Sequence, residues 1–298
     1  MTDPLEPIRR QCRKVPDAVR WACILEATAP KAGNVHPTRR FADLCYGDFV
    51  RAAEVSAVAF EESPAKMSCA VKTAAELVAE SIGTNVNLGI LLLLGPLVQA
   101  ETSEPKARGD VETWVAAVDR TLESLDTADT ARLYRAISVS KPGGMGTDES
   151  MDVNDTPPSS FLAAMESARQ RDRIALNYCV GFRDLFDNVV PVVRQKIERR
   201  GDVIAGIADA HLELLSVSPD TLIARKFGVD LAEQVQNRAK LAIGDLDRIE
   251  AFDAYLRGED GESDRRLNPG TTADLIAAAL YVLLRLTGPG ETLGSTDR

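Results

Sequence analysis

The chain has 298 residues, a length that allows one large domain or two small ones. It is 45% hydrophobic but only 5% aromatic, and Val and Ile do not alternate with polar residues, which disfavours an all-β fold and favours packed helices. The formal net charge of -10 argues against a sequence-independent nucleic-acid binder, because such proteins need a basic surface.

The sequence contains no pattern typical of export, membrane insertion or structural metal binding. There is no basic segment followed by an apolar core, and the most apolar stretch, 88–98, is too short to cross a bilayer. We therefore expect a cytoplasmic protein. The five cysteines form no Cys-x-x-Cys pair and predict reduced thiols, while His36 and His211 have no partner at the spacing of a zinc site.

Helical periodicity begins near the N-terminus. Asp17 is predicted to cap a first helix, which should end near Ala29-Pro30 because the residue before a proline disfavours the α conformation. Further helices are predicted over 48–62, 65–81, 87–100, 110–125 and 128–139. The helix over 87–100 is apolar on almost every face, so it should be central, and Gly95-Pro96 should kink or interrupt it.

Residues 141–158 break this pattern, with several glycines, four acidic residues and Pro157-Pro158. The segment is too irregular for a helix and long for a plain connection, so it is a candidate functional loop. Helices are predicted to resume over 159–178, 182–200, 203–215, 231–257 (broken near Gly244) and 271–286. We predict one all-α domain over 1–298, a multi-helix bundle with loose tails at 1–15 and 289–298.

The first of four unusual junctions follows Pro30. Lys31, Asn34 and His36 lie in a turn around Gly33. One explanation is an ordinary helix stop with the glycine in a left-handed conformation. The other is a polar loop that presents a cation and two hydrogen-bonding groups to a ligand.

The second junction is Gly83-Thr-Asn-Val-Asn-Leu-Gly89, which leads directly into the apolar helix. Thr84, Asn85 and Asn87 are all good capping residues, yet one cap would suffice. A helix N-terminus with free N–H groups is a natural phosphate site. No Gly-Lys-Ser/Thr follows, so this is not a Walker loop.

The third junction is Ser218-Pro-Asp-Thr-Leu-Ile-Ala-Arg-Lys226. Asp220 and Arg225 are about a turn and a half apart on a helix. Asp220 could simply cap this short helix while Arg225 is solvated. The pair could also supply a carboxylate for a metal and a guanidinium for a phosphate.

The fourth junction is Leu267-Asn-Pro-Gly-Thr-Thr-Ala-Asp-Leu275, which again opens an apolar helix. Thr271 and Asp274 resemble a capping box. However, Asn268, Gly270 and Thr272 repeat the combination of glycine and polar side chains found at the second junction. Two such helix starts in one acidic protein suggest that a polyanion is held between them, with the active site at converging helix N-termini.

In this order, the four junctions resemble those of the triphosphoribosyl-dephospho-coenzyme A synthase family. The resemblance covers 18–286 and rests on Pro30-Lys-Ala-Gly-Asn-Val-His36, Gly83-Thr-Asn-Val-Asn-Leu-Gly89, Asp220-Thr-Leu-Ile-Ala-Arg225 and Asn268-Pro-Gly-Thr-Thr-Ala-Asp274. Each motif is weak alone, but the ordered set is specific. Members of this family are helical enzymes that join the ribose C1 of ATP to the 2′-hydroxyl of dephospho-coenzyme A and release adenine. Their product is the precursor of a prosthetic group on an acyl carrier subunit.

The resemblance implies roles for residues at all four junctions. It implies phosphate contacts for Lys31, Thr84, Asn85 and Arg225, and further substrate contacts for Asn34, His36, Asn87, Thr221, Asn268 and Thr272. It also implies that Asp220, Asp274 and Arg225 are catalytic, with the two aspartates as metal ligands. We expect Mg²⁺ to accompany ATP, because an acidic protein repels a bare triphosphate. No nucleic-acid or membrane partner is expected, and a homodimer is left open.

The chain departs from the family pattern at several positions. Members that serve citrate lyase carry His-Lys-Gly where this chain has Asn87-Leu88-Gly89, Gly-Gly where it has Lys226-Phe227, and proline where it has Ala32. The stretch Ser140-Lys-Pro-Gly-Gly-Met-Gly146, followed by Asp152-Val153, resembles a branch found beside one-carbon cofactor genes.

Three hypotheses follow from this comparison. The first is triphosphoribosyl transfer from ATP to dephospho-coenzyme A. The second is a related ribosyl or phosphoribosyl transfer to a precursor of a methanopterin-type carrier. The third is a non-catalytic helical protein that binds a nucleotide or a partner, and the polar helix starts argue against it because a scaffold does not need them.

Overall fold

The computed structural model describes residues 3–141, 160–261 and 265–286. Within these ranges the chain forms fifteen α-helices and no β-strand, which confirms the predicted all-α fold. The first seven helices are α1 (Glu6–Arg9), α2 (Val15–Thr28), α3 (Tyr46–Glu62), α4 (Met67–Ile82), α5 (Leu88–Ser103), α6 (Val111–Glu123) and α7 (Thr127–Ser140). The other eight are α8 (Phe161–Ala168), α9 (Arg173–Cys179), α10 (Val190–Arg200), α11 (Val203–Val217), α12 (Thr221–Phe227), α13 (Val229–Ala242), α14 (Leu246–Arg257) and α15 (Gly270–Arg285).

Most predicted helices are present, but some of the predicted ends are wrong. Helix α2 begins at Val15, so Asp17 lies in its first turn and is not the capping residue. The single helix predicted over 159–178 is two helices, because Asp172 accepts hydrogen bonds from the first N–H groups of α9 and starts a new helix there. The break near Gly244 is confirmed, with that residue in a left-handed conformation at φ +80°. Beyond Lys141, the predicted loop over 141–158 lies outside the described residues, as does the predicted tail at 289–298.

The N-terminal segment packs against the last helix. Leu5 and Cys12 are buried, and Arg9 Nε donates to the carbonyl oxygen of Leu283 at 3.2 Å. Arg285, near the end of α15, donates through Nη1 to the carbonyl oxygen of Cys12 at 2.7 Å. The prediction of a loose tail is therefore wrong for residues 3–15.

Two apolar helices, α5 and α15, lie in the main hydrophobic core. In α15 every residue from Leu275 to Arg285 is buried, and α5 is buried over almost its whole length. A helix that is apolar on all faces is stable only when other helices surround it. Each fully buried Leu or Ile contributes about 1.5–3 kcal/mol, so this packing fixes the positions of both helix N-termini.

Helix α5 runs through Pro96 without a break, so the predicted interruption is wrong. Proline lacks the N–H that would normally bond to the carbonyl four residues earlier, which here belongs to Leu92. The hydroxyl of Tyr178 on α9 donates to that carbonyl oxygen at 2.7 Å. The buried carbonyl therefore keeps a partner, and the helix continues.

A smaller hydrophobic core contains residues of α11, α12, α13 and α14, including Leu215, Ile223, Val235 and Leu256. Helix α12 from this smaller core contacts α15 from the main core: a Cβ atom on Gly270 would lie only 2.6 Å from Leu222 Cδ2. The candidate site described below lies where the two cores meet. No helix in the described part of the chain is both long enough and apolar enough to span a membrane.

Candidate functional site

A cavity of about 460 Å³ lies beside the N-terminal ends of α5 and α15. Its wall also includes residues from the end of α7, from α8 and α9, and from α12. Among the candidates from the sequence, six line this cavity, namely Thr84, Asn85, Asn87, Arg225, Asn268 and Asp274. Two helix N-termini that are far apart in sequence therefore converge on one cavity, as predicted.

The segment that leads into α5 places two asparagines at the cavity, and their side chains make different hydrogen bonds. Asn85 Oδ1 accepts a hydrogen bond from the Leu88 N–H at 3.0 Å, so Asn85 satisfies the first N–H group of the helix from two residues before the N-cap position, Asn87. Asn87 donates through Nδ2 to Ser56 Oγ at 3.0 Å, while its buried Oδ1 has no partner among the described residues. A buried oxygen without a donor is costly unless a ligand or water satisfies it. Thr84 is exposed at the cavity wall.

Gly89 and Asp274 bring the two helices into close approach. A Cβ atom on Gly89 would lie 2.0 Å from Asp274 Oδ2 and 2.8 Å from Ile174 Cδ1. Only glycine leaves room for the carboxylate there, so the second glycine of the 83–89 motif is required by packing. The motif therefore determines where Asp274 sits.

Asp274 is in an unusual electrostatic environment. Burial raises its pKa well above the ordinary value, and the nearby carboxylates of Glu26, Asp220 and Asp172 raise it further, against the opposing effect of Arg225. Within the described part of the chain, no hydrogen bond or ion pair is made to the Asp274 carboxylate. A bound cation, or positive charge developing on a substrate, would stabilise its ionised form.

Arg225 is held in the cavity wall by a residue that the sequence analysis missed. Its Nη1 lies 2.6 Å from Asp172 Oδ2, and both side chains are 16% exposed. Asp172 is also the cap of α9, where its Oδ1 accepts from the N–H of Ile174 at 2.8 Å. The Nε of Arg225 is buried without a partner, so one donor of the guanidinium remains available.

Four further cations line the cavity, and the sequence analysis assigned none of them to a site: Lys141, Arg171, Lys226 and Arg266. Arg266 pairs with Asp43 at 2.6 Å, and its guanidinium carbon lies 3.5 Å from the ring centroid of Phe41. Arg266 could have been found because it directly precedes the fourth junction, and Lys226 because it directly follows Arg225. The basic character of this wall contrasts with the net charge of -10.

Lys31, Asn34 and His36 are not part of the main cavity wall among the described residues. Lys31 is 1% exposed, and its Nζ lies 2.8 Å from Glu26 Oε1 and also donates to the main-chain carbonyl oxygen of Glu26. Asn34 lines a smaller adjoining cavity of about 70 Å³, where Asn85, Asn268 and Asp274 also lie. His36 forms an isolated bridge with Arg39. The geometry of Lys31 therefore favours an internal ion pair over a phosphate contact.

Replacing Lys31 with methionine should destabilise the protein because Glu26 would remain buried without its partner. The expected loss is about 3–5 kcal/mol of unfolding free energy, measured by urea denaturation. The double variant Lys31→Met with Glu26→Leu should recover most of this loss. A single variant that is fully stable but binds ATP weakly would instead support the phosphate contact implied by the resemblance.

A cluster of hydrogen bonds connects α12 to α15 through Asp220, Thr221 and Thr272. Asp220 is 2% exposed, and its Oδ1 accepts from the N–H groups of Leu222 and Ile223 at 2.9 and 3.1 Å. Its Oδ2 accepts from both the N–H and the hydroxyl of Thr272 at 2.8 Å. Burial raises the pKa of Asp220 while these hydrogen bonds lower it. Four donors saturate this carboxylate, which favours an anchoring role over metal binding.

Thr221 adds two more hydrogen bonds to this cluster. Its hydroxyl donates to Thr271 Oγ1 at 3.2 Å and accepts from the Arg173 N–H at 3.2 Å. It thereby links the starts of α12, α15 and α9. These contacts favour a positioning role for Thr221 behind the cavity wall.

The donors at the cavity determine whether the expected Mg²⁺ could bind there. Among the described residues, no group of three or more His, Cys, Asp or Glu side chains could hold a metal ion. The cavity wall does contain the Asp274 carboxylate and the unpartnered amide oxygens of Asn87 and Asn268. Mg²⁺ takes oxygen ligands and commonly binds through one or two carboxylates together with substrate phosphates. The donors present therefore fit an ion that arrives with a phosphorylated substrate.

The chain is similar to a protein of Pectobacterium carotovorum subsp. carotovorum (strain PC1), which is named as a probable 2-(5''-triphosphoribosyl)-3'-dephosphocoenzyme-A synthase. It is 33% identical over 98 residues, which are 33% of this chain and 31% of the relative, so the match spans about a third of each. The crystal structure of a protein from Archaeoglobus fulgidus, named as a putative triphosphoribosyl-dephospho-coA synthase, has a TM-score of 0.61 at 22% identity. It covers 80% of this chain and 98% of its own, which shows a shared fold.

A family model matches a far longer part of the chain, residues 12–291. All four junctions fall within this range, and so do all the residues described at the cavity. The chain belongs to the family described as ATP:dephospho-CoA triphosphoribosyl transferase (CitG).

Proposed function

We propose that this protein transfers the triphosphoribosyl group of ATP to the 2′-hydroxyl of dephospho-coenzyme A and releases adenine. The observation that carries this proposal is the family match over 12–291, and the geometry of the cavity supports it. The product would be a precursor of the prosthetic group of an acyl carrier subunit.

The walls of the cavity suit a substrate with several phosphates. The N-termini of α5 and α15 both lie at the cavity, and each helix is 16 residues long. Helix N-termini carry partial positive charge that attracts phosphate groups, and here this charge remains although the N–H groups of Leu88 and Thr272 are bonded to Asn85 and Asp220. Arg225, with its unpartnered Nε, adds a charged donor to the wall of the same cavity.

The proposed reaction makes one bond and breaks another at C1′ of the ribose. The acceptor hydroxyl oxygen bonds to C1′ and loses its proton, while the bond from C1′ to N9 breaks and adenine leaves with the electron pair and gains a proton. Positive charge develops at C1′ in the transition state, and a nearby carboxylate stabilises it. We assign this role to Asp274, because it lies where the two helix N-termini meet and no described residue donates to it.

Mg²⁺ bound to the triphosphate would neutralise part of its negative charge. Asp274 and the amide oxygens of Asn87 and Asn268 are the groups of this chain that would hold it. The hydrogen bonds to Asp220 would hold α12 and α15 in fixed positions relative to each other at the cavity.

The proposal is tested by incubating the purified protein with ATP, Mg²⁺ and dephospho-coenzyme A and separating the products by chromatography. Free adenine and a triphosphoribosylated acceptor should form together in equal amounts, and EDTA should stop both. Formation of ADP or AMP without adenine would refute ATP as a ribosyl donor. Adenine released only with a one-carbon carrier precursor would keep the donor and replace the acceptor.

A further inference from the structure

Lys226 differs from the two arginines beside it. Arg225 and Arg266 each pair with an aspartate at 2.6 Å. Lys226 lines the same cavity, yet in the described part of the chain its ammonium group has no ion pair and no hydrogen bond. Lys226 is also exposed, so a ligand in the cavity can reach it.

The surroundings of Lys226 are electrostatically unfavourable for a cation. Partial burial lowers its pKa, and the charges of Arg266 and Arg225 lower it further, with Asp220 opposing them. Asp220 offers little compensation because its oxygens already accept four hydrogen bonds. Three cations at one wall of an acidic protein are stabilised when an anion binds between them.

A second observation points to the same kind of ligand. Arg225 Nε is buried and has no acceptor, although Nη1 of the same guanidinium is held by Asp172. A phosphate oxygen accepts hydrogen bonds from guanidinium and ammonium groups at once. The unpartnered Nε–H and the free ammonium group of Lys226 are therefore two unsatisfied donors on one helix.

We propose that Lys226 binds a phosphate group of a polyphosphate substrate, with Arg225 and Arg266 as neighbouring donors. This inference rests on the proposed function for the identity of that substrate. The group bound is either the triphosphate of ATP or the diphosphate of dephospho-coenzyme A, since both present the same chemistry to a lysine.

The first experiment measures binding without catalysis. Inorganic tripolyphosphate is titrated into the full chain by calorimetry, with Lys226→Met, Lys226→Arg and, as a control, Lys240→Met. Lys240 is exposed on α13, and its replacement removes the same charge elsewhere. We expect Lys226→Met to weaken binding about tenfold or more, which corresponds to one charge-assisted hydrogen bond, and the other two variants to bind like the original chain.

A structural role for Lys226 would give a different result. Because the lysine sits among like charges, Lys226→Met should melt at the same or a higher temperature than the original protein. A lower melting temperature together with unchanged tripolyphosphate binding would overturn the proposal. Equal tripolyphosphate affinity in the original chain and Lys226→Met would also overturn it.

Steady-state kinetics then identify which substrate supplies the phosphate. In Lys226→Met, a rise in KM for ATP alone assigns the lysine to the triphosphate, and a rise for dephospho-coenzyme A alone assigns it to the diphosphate. Unchanged KM values for both substrates would contradict a role in substrate binding. If no adenine is released by the original chain, the proposed function fails, while the tripolyphosphate titration still decides whether Lys226 is part of an anion site.

Discussion

Replacement of Asp274 by asparagine should lower the rate of adenine release by about 10²-fold or more while making the protein more stable. The rate falls because the neutral amide cannot stabilise positive charge at C1′. Stability rises because Asp274 is a carboxyl group surrounded by other carboxylates, and burial and these neighbours raise its pKa well above the ordinary value. Activity and stability therefore change in opposite directions, which is common at functional sites.

The gain in stability should depend on pH in a defined direction. An aspartate in the unfolded chain ionises near pH ~3.9, whereas Asp274 in the folded protein ionises at higher pH. The folded state thus binds more protons than the unfolded state between these two pKa values, and stability falls as pH rises through that window. Below the window Asp274→Asn should unfold like the original chain, and the stabilisation should grow as pH rises through the window and level off above it.

The control for Asp274→Asn is Asp230→Asn, which removes an exposed carboxylate from the first turn of α13. This variant should retain both turnover and the pH profile of unfolding, measured by chromatography and by thermal melts from about pH 3 upwards, which begins below the ordinary pKa of aspartate. Full turnover in Asp274→Asn would remove this carboxylate from the reaction.

Gly89→Ala should impair both folding and activity, although alanine favours helix over glycine by about 1 kcal/mol. The added methyl would lie 2.0 Å from Asp274 Oδ2 and 2.5 Å from its Cγ, so the Asp274 carboxylate must move from its position. Overpacking of this kind costs about 1–3 kcal/mol, which outweighs the helix preference. A displacement of about 1 Å at a reacting group can lower the rate by about 10²-fold.

The matched control is Gly47→Ala in α3. A Cβ atom there would meet nothing closer than Cys45 Sγ at 3.6 Å. This variant should unfold at about 0.5–1 kcal/mol higher free energy and retain full activity, because only the helix preference changes. If Gly89→Ala behaves like Gly47→Ala in melts and turnover, the close approach of the two helices does not matter for the reaction.

The helical fold could be predicted because each helix has its own apolar periodicity and its own residues that favour a helix start or end. Helices α5 and α15 are recognisable as central from their apolar faces alone, and the polar segments before them mark the cavity. What the sequence cannot supply is the pairing of charges across the fold. Asp172 and Arg225 are 53 positions apart, and nothing local to either residue indicates that one holds the other.

Lys31 shows that a charge pair can be hard to predict even when its two residues are close in sequence. A lysine in a turn after a helix stop has the pattern of a surface or ligand-binding cation, and most lysines are exposed. Its burial follows from the position of Glu26 five residues earlier, which becomes a buried acceptor only after α2 has packed. Likewise, Asp220 has the sequence pattern of both a cap and a metal ligand, and Thr272, 52 positions away, decides between them.

The hydrogen bond between Tyr178 and the carbonyl of Leu92 makes the substitutions tolerated at position 178 depend on the residue at position 96. A proline at position 96 is tolerable in a buried helix only while a hydroxyl at position 178 satisfies the carbonyl that the proline abandons. Losing the hydroxyl first would leave that carbonyl without a donor. Replacing the proline first would restore the helical N–H and make the hydroxyl dispensable, while the ring of Tyr178 would still pack against Phe161 and Phe182. The order of substitution therefore matters: losing the Tyr178 hydroxyl while Pro96 is present leaves a buried carbonyl unsatisfied at a cost of about 1–3 kcal/mol, whereas losing Pro96 first avoids that cost.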